Sequence, residues 1–417
     1  MRLMMSKVLL STIADINIGG TPSRQIDSFW AKEDGYSWVS IADLTSSGKY
    51  IINTKEKITI AGINNSNVKL VPKGCFIMSF KLTIGKCALA GTNLYTNEAI
   101  ASFMPKYKDA FIPEYLYYAL PNVDFHKYTD SAIKGITLNK QKLSNIEINV
   151  PDLPTQKRIA KILSTLDGQI EKTEAIIAKY QAIKQGMLHD LFTRGIDLST
   201  GKLRPTPDKS PELYKSSPLG LIPKDWEFIN FGNKIVSNKY GPRFNANDYS
   251  NSGNVKTIRG TDISKDGEIL YSQAPKAKLS NLMINANKLI KNDVLIVTTA
   301  DCGLTTIFNP QIQHENYIPS AYTVRCRFNN DVDVLFIKYY MNTNNAIKQV
   351  NSYVRQGTLG NLPSSDILKI SLGIPLINEQ MKISSEMRAI DSLIKKENLT
   401  LNQLRDLKQG LMIRLLK

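Results

Sequence analysis

The sequence has 417 residues, with 53 lysines and arginines against 37 aspartates and glutamates, and its formal net charge at pH 7 is +16. A chain of this length can bury the cores of two or three domains. Its apolar fraction of 42% and charged fraction of 22% are typical of a folded soluble protein. No apolar run approaches the length of a membrane span, so we expect no membrane partner.

The excess of positive charge predicts attraction to a polyanion. Anionic lipid is a weaker candidate than nucleic acid, because the sequence has no polybasic run and no concentrated basic amphipathic helix. Ordinary proteins can also be basic, so charge alone leaves both explanations open. We interpret MRLMMSKVLLSTIADI as the start of the first domain and not as a signal peptide, since it has no small-residue cleavage site.

Cysteine and histidine usage argues against a metal site. The cysteines at positions 75, 87, 302 and 326 are far apart and form no CxxC pair, and three histidines supply no zinc-binding spacing. We therefore expect free thiols, no metal, no cofactor and a reducing, cytoplasmic compartment.

Residues 1–150 predict a first domain. Turn signals such as Gly19-Gly20-Thr21-Pro22 alternate with apolar runs such as Trp38–Ile41 and Cys75–Met78. The segment Pro113–Leu120 (PEYLYYAL) predicts a short helix. Short strands that are interrupted this often by turns indicate a compact α+β domain.

Residues 151–195 predict a long amphipathic helix. It begins just after a proline-marked turn, and its apolar residues recur at steps of three and four. A helix of about 38 residues is roughly 57 Å long, which exceeds what one domain usually needs to cover its own core. The apolar stripe consists of Ile159, Leu163, Leu166, Ile170, Ile177, Tyr180, Ile183, Met187 and Leu191.

The composition changes after this helix. Residues 196–222 carry prolines at positions 205, 207, 211 and 218, together with glycines, serines and lysines. This composition predicts a linker that is extended, and ordered where it lies on other surfaces.

Residues 223–374 repeat the order of signals of the first domain. The turn Tyr240–Arg243 corresponds to Gly19–Pro22, and the run Lys256–Ile263 corresponds to Ser37–Leu44. Three further correspondences keep this order: Asn292–Val297 with Lys73–Met78, Phe336–Met341 with Glu114–Leu120, and Gln356–Leu359 with Gly135–Leu138. We therefore predict a second domain with the plan of the first.

Residues 375–417 repeat the long helix. Displaced by 224 positions, Pro151 falls on Pro375 and Asp167 falls on Asp391. The polar Thr173 and Glu397 interrupt the stripe at one equivalent position. The second stripe consists of Ile383, Met387, Ile390, Ile394, Leu401, Leu404, Leu407, Leu411 and Leu415. Two ordinary core helices remain an alternative, but we favour two long helices packed on each other as a spacer, because two tandem copies can cover each other's stripe.

The order of several motifs resembles that of a Type I restriction–modification specificity subunit. These motifs are GGTPS, SWVSIADL, GITL and LPTQKRIAKIL, then LFTRGIDLSTGKLRP and IPKDWE, and finally PLINEQMKIS and LKQGLM. The resemblance covers nearly the whole chain, and the order and duplication of the motifs carry it. The first half lacks a motif like IPKDW before its domain, and the second half has YGPRF in place of GGTPS.

The resemblance implies an α+β fold with two target-recognition domains of mixed strands and short helices, residues 1–150 and 223–374. It also implies that the long helices, residues 151–195 and 375–417, pack antiparallel with pseudo-two-fold symmetry. The helices then set the distance between two halves of a bipartite site in double-stranded DNA. Because the DNA backbone has two-fold symmetry as well, two such domains can meet opposite strands in equivalent ways. The implied partners are two adenine methyltransferase subunits and ATP-driven restriction (translocase/nuclease) subunits.

No catalytic motif is found in the sequence. It has no GxxxxGK[ST] loop for ATP and no glycine-rich dinucleotide-binding turn. The string Phe308-Asn309-Pro310-Gln311 does not fit the Asn/Asp-Pro-Pro-aromatic motif of an adenine methyltransferase, and His126, His189 and His314 have no nucleophile pattern nearby. We therefore predict a non-catalytic, sequence-reading adaptor.

Three other functions are alternatives to this adaptor. A self-contained methyltransferase or nuclease is one, and the missing motifs count against it. An architectural coiled-coil protein that binds DNA without sequence preference is another, whereas base-reading domains separate specific from non-specific sites by orders of magnitude. A narrower alternative is the specificity chain of a fused restriction–methylation enzyme.

Polar and basic residues in the turn-rich parts of the domains are the predicted DNA contacts. Arg24, Arg243 and Arg259 are the candidates for bidentate guanine reading, and Lys81, Lys86 and Lys256 are the candidates for phosphate contact. A solvated surface charge is the alternative for each, and Gly19, Gly20 and Gly241 are expected to shape turns. The full set is Thr21, Ser23, Arg24, Ser40, Lys81, Thr83 and Lys86, then Tyr240, Arg243, Lys256, Arg259, Thr261, Thr298 and Thr299.

A last group of charges lies towards the ends of the long helices. We expect it to interact with the helix dipole, with a phosphate or methyltransferase contact as the alternative. The group is Lys184, His189 and Arg194 in the first helix, and Lys408, Arg414 and Lys417 in the second.

Overall fold

The computed structural model describes residues 6–81, 83–128, 138–310, 315–355, 357 and 359–416. His314, Lys417 and part of the predicted correspondence between Gln356–Leu359 and Gly135–Leu138 lie outside the described residues. The chain forms two compact units, which we call unit 1 (Met1–Glu174 with Leu399–Lys417) and unit 2 (Ala175–Asn398). Two long helices contribute residues to both units.

In unit 1, short strands and helices precede the first long helix. The strands are β1 (Ser6–Leu9), β2 (Ala14–Ile18), β3 (Trp30–Ala31), β4 (Tyr36–Val39), β5 (Tyr50–Ile51), β6 (Glu56–Ile58), β7 (Phe76–Ser79), β8 (Cys87–Ala90), β9 (Tyr95–Thr96), β10 (Ile100–Pro105) and β11 (Glu147–Val150). The helices are α1 (Leu10–Ile13), α2 (Ile41–Ser46), α3 (Ile60–Asn64), α4 (Pro113–Ala119), α5 (Lys140–Ser144) and the start of α6 (Leu153–Thr193).

Two sheets and one strand pair organise unit 1. The larger sheet has the order β2-β10-β7-β8-β5, the smaller one has the order β3-β6-β4-β9, and β1 pairs with β11. Parallel pairing joins β4 to β9 and β5 to β8. Strands far apart in sequence therefore lie side by side, and residues from distant turns meet at one sheet edge.

The main core of unit 1 joins its larger sheet to the long helices. Phe76 of the sheet lies in one buried apolar cluster with Tyr115 of α4, with Ile159 and Leu163 of α6, and with Leu416 of the second long helix. Helix α4 begins with Pro113 at its first position, where a missing N–H costs no hydrogen bond. The short helix predicted for this segment is confirmed.

Unit 2 repeats this plan after the end of α6. Its strands are β12 (Ile196–Asp197), β13 (Lys202–Leu203), β14 (Tyr214–Ser217), β15 (Gly220–Pro223), β16 (Glu227–Asn230), β17 (Ile235–Tyr240), β18 (Val255–Ile258), β19 (Lys276–Ala277), β20 (Val294–Val297), β21 (Thr305–Ile307), β22 (Tyr317–Pro319), β23 (Thr323–Phe328) and β24 (Ser371–Ile374). Its helices are α7 (Asn281–Asn287), α8 (Val334–Tyr340), α9 (Asn344–Tyr353), α10 (Ser364–Ile367) and α11 (Ile377–Leu416), the second long helix.

The strand orders of the two units correspond. The order β17-β23-β20-β21 matches β2-β10-β7-β8, the order β19-β18-β22 matches β6-β4-β9, and the pair β16-β24 matches β1-β11. The pair β18-β22 is parallel, as is its counterpart β4-β9. The predicted repetition of one plan is confirmed, and unit 1 adds β3 and β5 to its sheets.

Besides the glycine turn, where the strand register makes Gly241 and not Tyr240 the counterpart of Gly19, two details of the predicted correspondence are wrong in register. The Asn292 N–H donates to the Phe308 carbonyl, as the Gly74 N–H donates to Ala90, so Asn292 corresponds to Gly74 and not to Lys73. Both residues have positive φ, 71° at Asn292 and 85° at Gly74, and asparagine is one of the few side chains that tolerates this region.

The second error concerns the segment before the long helices. The Leu362 N–H donates to the Thr298 carbonyl, as the Leu138 N–H donates to Phe80. Leu362 therefore corresponds to Leu138, whereas the predicted counterpart Leu359 is 63% exposed.

A buried glutamine joins each domain to its long helix. The Gln156 amide donates to the Pro151 carbonyl at 2.9 Å and accepts from the Ile112 N–H at 2.9 Å. Gln380 repeats these contacts with the Pro375 carbonyl at 2.8 Å and the Asp333 N–H at 2.9 Å. Because both amides are buried, the hydrogen bonds hold the turn before α4 or α8 in one position on the helix.

The long helices contact each other through matched ion pairs. In unit 1, Asp167 of α6 lies 2.6 Å from the Lys408 ammonium of α11, and in unit 2 Asp391 of α11 lies 2.6 Å from Lys184 of α6. Tyrosine hydroxyls, from Tyr118 and Tyr339, donate to the same two aspartates. Helix α6 thus supplies the aspartate of the pair in unit 1 and the lysine of the pair in unit 2. The predicted α+β fold with two long packed helices is confirmed.

The segment predicted as an extended linker instead forms two hairpins, β12–β13 and β14–β15. Between them, the Arg204 guanidinium donates to both carboxylate oxygens of Glu379 in the first turn of α11, at 2.5 and 2.9 Å. The Trp226 indole and the Ile196 N–H donate to the same carboxylate. Gly195 follows the end of α6 with φ 67°, and a Cβ there would lie 2.2 Å from Glu379 Oε1. A buried polar network therefore fastens the linker.

We expect Glu379→Ala to destabilise unit 2 by about 3–5 kcal/mol, because removing one partner of a buried ion pair leaves an uncompensated charge. The side chains of Arg204 and Glu379 are only 10% and 4% exposed. Burial favours a lower pKa for Arg204, but the hydrogen bond and ion pair with Glu379 outweigh it and raise the pKa. Urea unfolding monitored by hydrogen exchange of unit 2 amides measures the change.

Glu386→Ala on the same helix is the matched control. Glu386 pairs with Lys382 across an exposed face, where an ion pair contributes about 0–1 kcal/mol. Equal losses of stability in the two variants would contradict the structural role of the Arg204–Glu379 network.

Candidate nucleic-acid interface

In each unit, the residues of the candidate surface begin at a glycine turn. The Gly19 N–H donates to the Ile100 carbonyl, and the Gly241 N–H donates to the Thr323 carbonyl. A Cβ would lie 2.1 Å from the Asn97 carbonyl at Gly19 and 2.1 Å from Pro319 at Gly241. These glycines permit a close approach of two backbone segments, as expected of turn-shaping residues, and they position the side chains that follow.

In unit 1 the turn presents Arg24 on an aromatic platform. Its guanidinium carbon lies 3.8 Å from the centre of the Trp30 ring and 5.0 Å from that of Trp38. Both terminal nitrogens donate to Glu56, and the Nη2–Oε2 distance is 3.0 Å. This hydrogen bond to Glu56, which outweighs partial burial, raises the pKa of Arg24. Ser23 contributes its carbonyl, which accepts from the Trp30 indole at 3.1 Å.

Glu98 interacts with two more of the predicted residues, Thr21 and Lys81. The Thr21 hydroxyl donates to its carboxylate. This hydrogen bond lowers the pKa of Glu98, and the charges of Lys81 and Arg24 act in the same direction. The structure therefore brings Thr21, Arg24 and Lys81 together around Glu56 and Glu98, and we call these five residues the turn cluster.

Ser40 and Arg259 occupy corresponding positions at the ends of β4 and β18. Ser40 caps α2, since its hydroxyl accepts from the Asp43 N–H at 3.1 Å and its N–H donates to the Asp43 carboxylate. Arg259 donates from its N–H, Nε and Nη2 to the buried Asp262. Both residues stabilise a local turn, and only the exposed remainder of the Arg259 guanidinium is open to a further acceptor.

Lys256, Thr261, Tyr240 and Arg243, four further candidates of unit 2, are spread over several elements. The Lys256 ammonium lies 2.7 Å from Glu315, which also accepts from the Tyr317 hydroxyl. Thr261 is exposed in the turn after β18. The Tyr240 hydroxyl accepts from the Ser364 N–H at 2.9 Å, and Arg243 is exposed just after the glycine turn.

The remaining candidates lie on two corresponding hairpin loops, between β7 and β8 and between β20 and β21. Thr83 and Lys86 are exposed, and Thr299 is half-buried. Thr298 is only 1% exposed, and its hydroxyl donates to the Tyr322 carbonyl at 3.0 Å. Thr298 is thus a structural residue, and its predicted DNA contact would need a rearrangement of the loop.

Sequence reasoning missed a basic cleft of about 700 Å³ in unit 1. Lys49, Lys86, Arg405 and Lys408 line it, beside Asp167. The Lys49 ammonium lies 2.7 Å from the Ser164 hydroxyl and 3.1 Å from that of Tyr118, and burial lowers its pKa. These cations come from β-rich and helical segments far apart in sequence, so spacing could not have identified them. Lys86 faces this cleft.

The helix-dipole interpretation is wrong for Lys184 and Lys408, and for Arg194, which directly follows α6, it stays a prediction. Lys184 and Lys408 pair with aspartates of the opposite helix, and Arg194 pairs with Asp190 at 3.2 Å. Lys184 also lies more than two turns before the end of α6 at Thr193, beyond the reach of the dipole effect.

Among the described residues, no cluster of three or more histidine, cysteine or acidic side chains could hold a metal ion. None of the helices in these residues is long and apolar enough to cross a membrane.

The sequence matches a family model described as the type I restriction modification DNA specificity domain. The match occurs twice, over residues 5–181 and 223–405. Each copy includes one glycine turn and the first part of one long helix. The duplication seen in strand order and in buried contacts is thus also a duplication of a known domain.

Similar proteins of the same kind occur in Methanocaldococcus jannaschii. The chain is 27% identical over 322 residues to a putative type I restriction enzyme MjaX specificity subunit, and the match spans 73% of this chain and 67% of that protein. It is 28% identical over 242 residues to the type I restriction enzyme MjaIX specificity subunit, over 56% of this chain and 52% of that protein.

Solved structures share the fold. The S subunit of a Type-I restriction-modification system from M. genitalium superimposes with a TM-score of 0.59 at 13% identity, covering 100% of this chain and 96% of that one. A chain from a study of complex assembly and conformational transition of the type I R-M system gives 0.55 at 16% identity, with coverages of 100% and 98%.

The family match, the relatives and the fold confirm the predicted resemblance to a specificity subunit, and they do not favour an architectural protein without sequence preference. With two copies of the domain covering more than half of its length, the chain belongs to the type I restriction–modification DNA specificity family.

Proposed function

We propose that this chain selects the DNA sequence for a type I restriction–modification complex. Residues 1–150 and 223–374 each read one half of a bipartite site in double-stranded DNA, and the long helices set the spacer between the halves. One contrast carries the proposal: the buried contacts that hold each domain on its helices repeat, whereas the exposed side chains at corresponding turns differ.

The repeated side of this contrast is polar and buried. Gln156 and Gln380 make the same pair of hydrogen bonds, and Asp167 and Asp391 each accept from one lysine and one tyrosine. Such contacts support one docking geometry for both domains. A spacer function needs this geometry, because the position of each domain on its helix sets the position of its half-site.

The variable side lies on the surface. The residue after β4 is Ser40 and its counterpart after β18 is Arg259, while Lys81 has Thr299 as its counterpart after β20. Different donors and acceptors at equivalent places suit two domains that read different bases. The net charge of +16 supplies the sequence-independent attraction to phosphates.

The chain itself contributes recognition in this proposal, and its partners contribute catalysis. We propose two methyltransferase subunits and ATP-dependent restriction subunits as partners, assembled in the cytoplasm. Exposed apolar side chains on the long helices support a protein partner there, and they include Ile176, Ile183, Leu393, Leu399 and Leu407.

The central experiment maps adenine methylation across the genome of a host that expresses this chain with its methyltransferase. We expect a new bipartite motif that is methylated on both strands, and we expect its loss when the chain is omitted. The control is a host with the methyltransferase alone, shown to be present and active. Methylation that does not depend on this chain would refute the adaptor function.

A deletion of four residues within Lys172–Tyr180 should change the accepted spacer while both half-sites stay the same. Four residues are slightly more than one helical turn and shorten the helix by about 6 Å, close to the rise of two DNA base pairs. Methylation mapping of the variant measures the spacer. An unchanged spacer in an active variant would show that the helix does not act as a ruler.

Arg24→Ala should relax selectivity at one position of one half-site, and Arg243→Ala should do so in the other. Loss of a bidentate contact to guanine costs about 1–3 kcal/mol of discrimination. Binding to duplexes with single base changes measures the effect. Each variant is the matched control of the other, and a uniform loss of affinity across all sequences would instead identify the arginine as a phosphate contact.

A further inference from the structure

The turn cluster holds Arg24 in one orientation before any DNA is bound. The Trp38 indole donates to the Gly20 carbonyl at 2.9 Å, and the Trp30 indole donates to the Ser23 carbonyl at 3.1 Å. The two rings meet edge to face at 5.1 Å. The same tryptophans therefore fix the backbone before Arg24 and support its guanidinium plane.

Glu56 occupies the outer edge of that guanidinium. It lies on β6 directly opposite Trp38 of β4, which places its carboxylate in front of both terminal nitrogens of Arg24. This is the edge that an arginine uses to donate two parallel hydrogen bonds to guanine or to phosphate. An acceptor from DNA must therefore displace Glu56 before it can bind Arg24.

The pair is accessible enough to be exchanged. The side chains of Arg24 and Glu56 are 52% and 39% exposed, and an ion pair in such contact with water adds little stability. The free-energy cost of displacing Glu56 differs between the two kinds of DNA acceptor, however. A phosphate brings a negative charge next to Glu56 and Glu98, whereas guanine is neutral and offers the O6 and N7 acceptors in the geometry of the arginine fork.

We propose that Glu56 is a specificity-determining residue, which competes with DNA phosphate for Arg24 and so reserves this arginine for a guanine in the half-site of the first domain. The inference rests on the proposed function of that domain. Selectivity here comes from weakening the wrong interaction, namely the sequence-independent attraction to phosphates.

Unit 2 does not repeat this arrangement. Lys256 pairs with Lys276 across β18 and β19, as Ser37 pairs with Lys57 across β4 and β6. In this register Pro275 stands where unit 1 has Glu56, and proline has no carboxylate. The competition is therefore a property of the first domain, and the half-site of the second domain serves as an internal reference.

The test compares Glu56→Gln with Glu33→Gln in the full chain assembled with its methyltransferase. Glu33 is exposed in the turn between β3 and β4, and the carboxylates that act on Arg24 are Glu56 and Glu98, so replacing Glu33 removes the same charge without removing a partner of Arg24. Binding is measured over a range of salt concentrations. One duplex carries the methylated motif, and the other has both half-sites scrambled.

For Glu56→Gln we expect affinity for the scrambled duplex to rise about three- to tenfold, and the salt dependence to steepen by about 0.9 in the log–log slope, as one added phosphate contact predicts. Affinity for the motif should rise by less than affinity for the scrambled duplex, because guanine is neutral and gains less than phosphate from the loss of the Glu56 charge. The ratio of specific to non-specific affinity then falls. With Arg24→Ala already present, Glu56→Gln should have only the effect of the control.

Three results would overturn the proposal. Equal behaviour of Glu56→Gln and Glu33→Gln would reduce Glu56 to a general surface charge. A loss of more than tenfold for the motif alone would make Glu56 a base contact in its own right. If Arg24→Ala changes neither duplex, the placement of Arg24 in the interface fails, and the methylation experiment separately decides the function of the chain.

Discussion

The hydrogen bonds of Gln156 and Gln380 determine where each domain lies on its long helix. Each amide bridges the entry of the helix and the turn before α4 or α8, and each is buried, so the contact cannot exchange freely with water. The aspartate of each helix, Asp167 or Asp391, adds a second attachment through a tyrosine of the domain and a lysine of the other helix. Any reading of DNA by the domains depends on this attachment, because a reader that shifts on its support loses its register with the bases.

Buried and exposed positions differ in whether the two units can carry different residues there. Inside, an unpaired donor or charge is costly, and the contacts of Gln156 and Asp167 in unit 1 therefore recur at Gln380 and Asp391 in unit 2. Outside, water can satisfy a side chain, and the equivalent positions hold different residues without loss of stability. One fold can thus support two readers of different sequence, which is what a bipartite site requires.

Negative charge at the candidate interface is as informative as positive charge. Glu56, Asp262 and Glu315 each hold one of the basic residues that sequence reasoning assigned to DNA. A chain with a net charge of +16 attracts the phosphates of any DNA sequence. Selectivity between sequences therefore requires that this sequence-independent attraction be weakened. Carboxylates beside arginines and lysines weaken it, because they compete with phosphate for the basic side chains.

The sequence by itself determined the duplication, the two long helices, the short helix at Pro113 and the family, because periodic apolar residues and a displacement of 224 positions are visible without knowledge of contacts. It failed in register at Asn292 and Leu359, since strand pairing and not local similarity sets which residues correspond. Only the tertiary structure decided that Thr298 is buried, that the linker forms two hairpins around Arg204, and that Glu56 meets Arg24. Each of these depends on segments far apart in the chain, which pair through β-sheet hydrogen bonds and buried charges that no local pattern encodes.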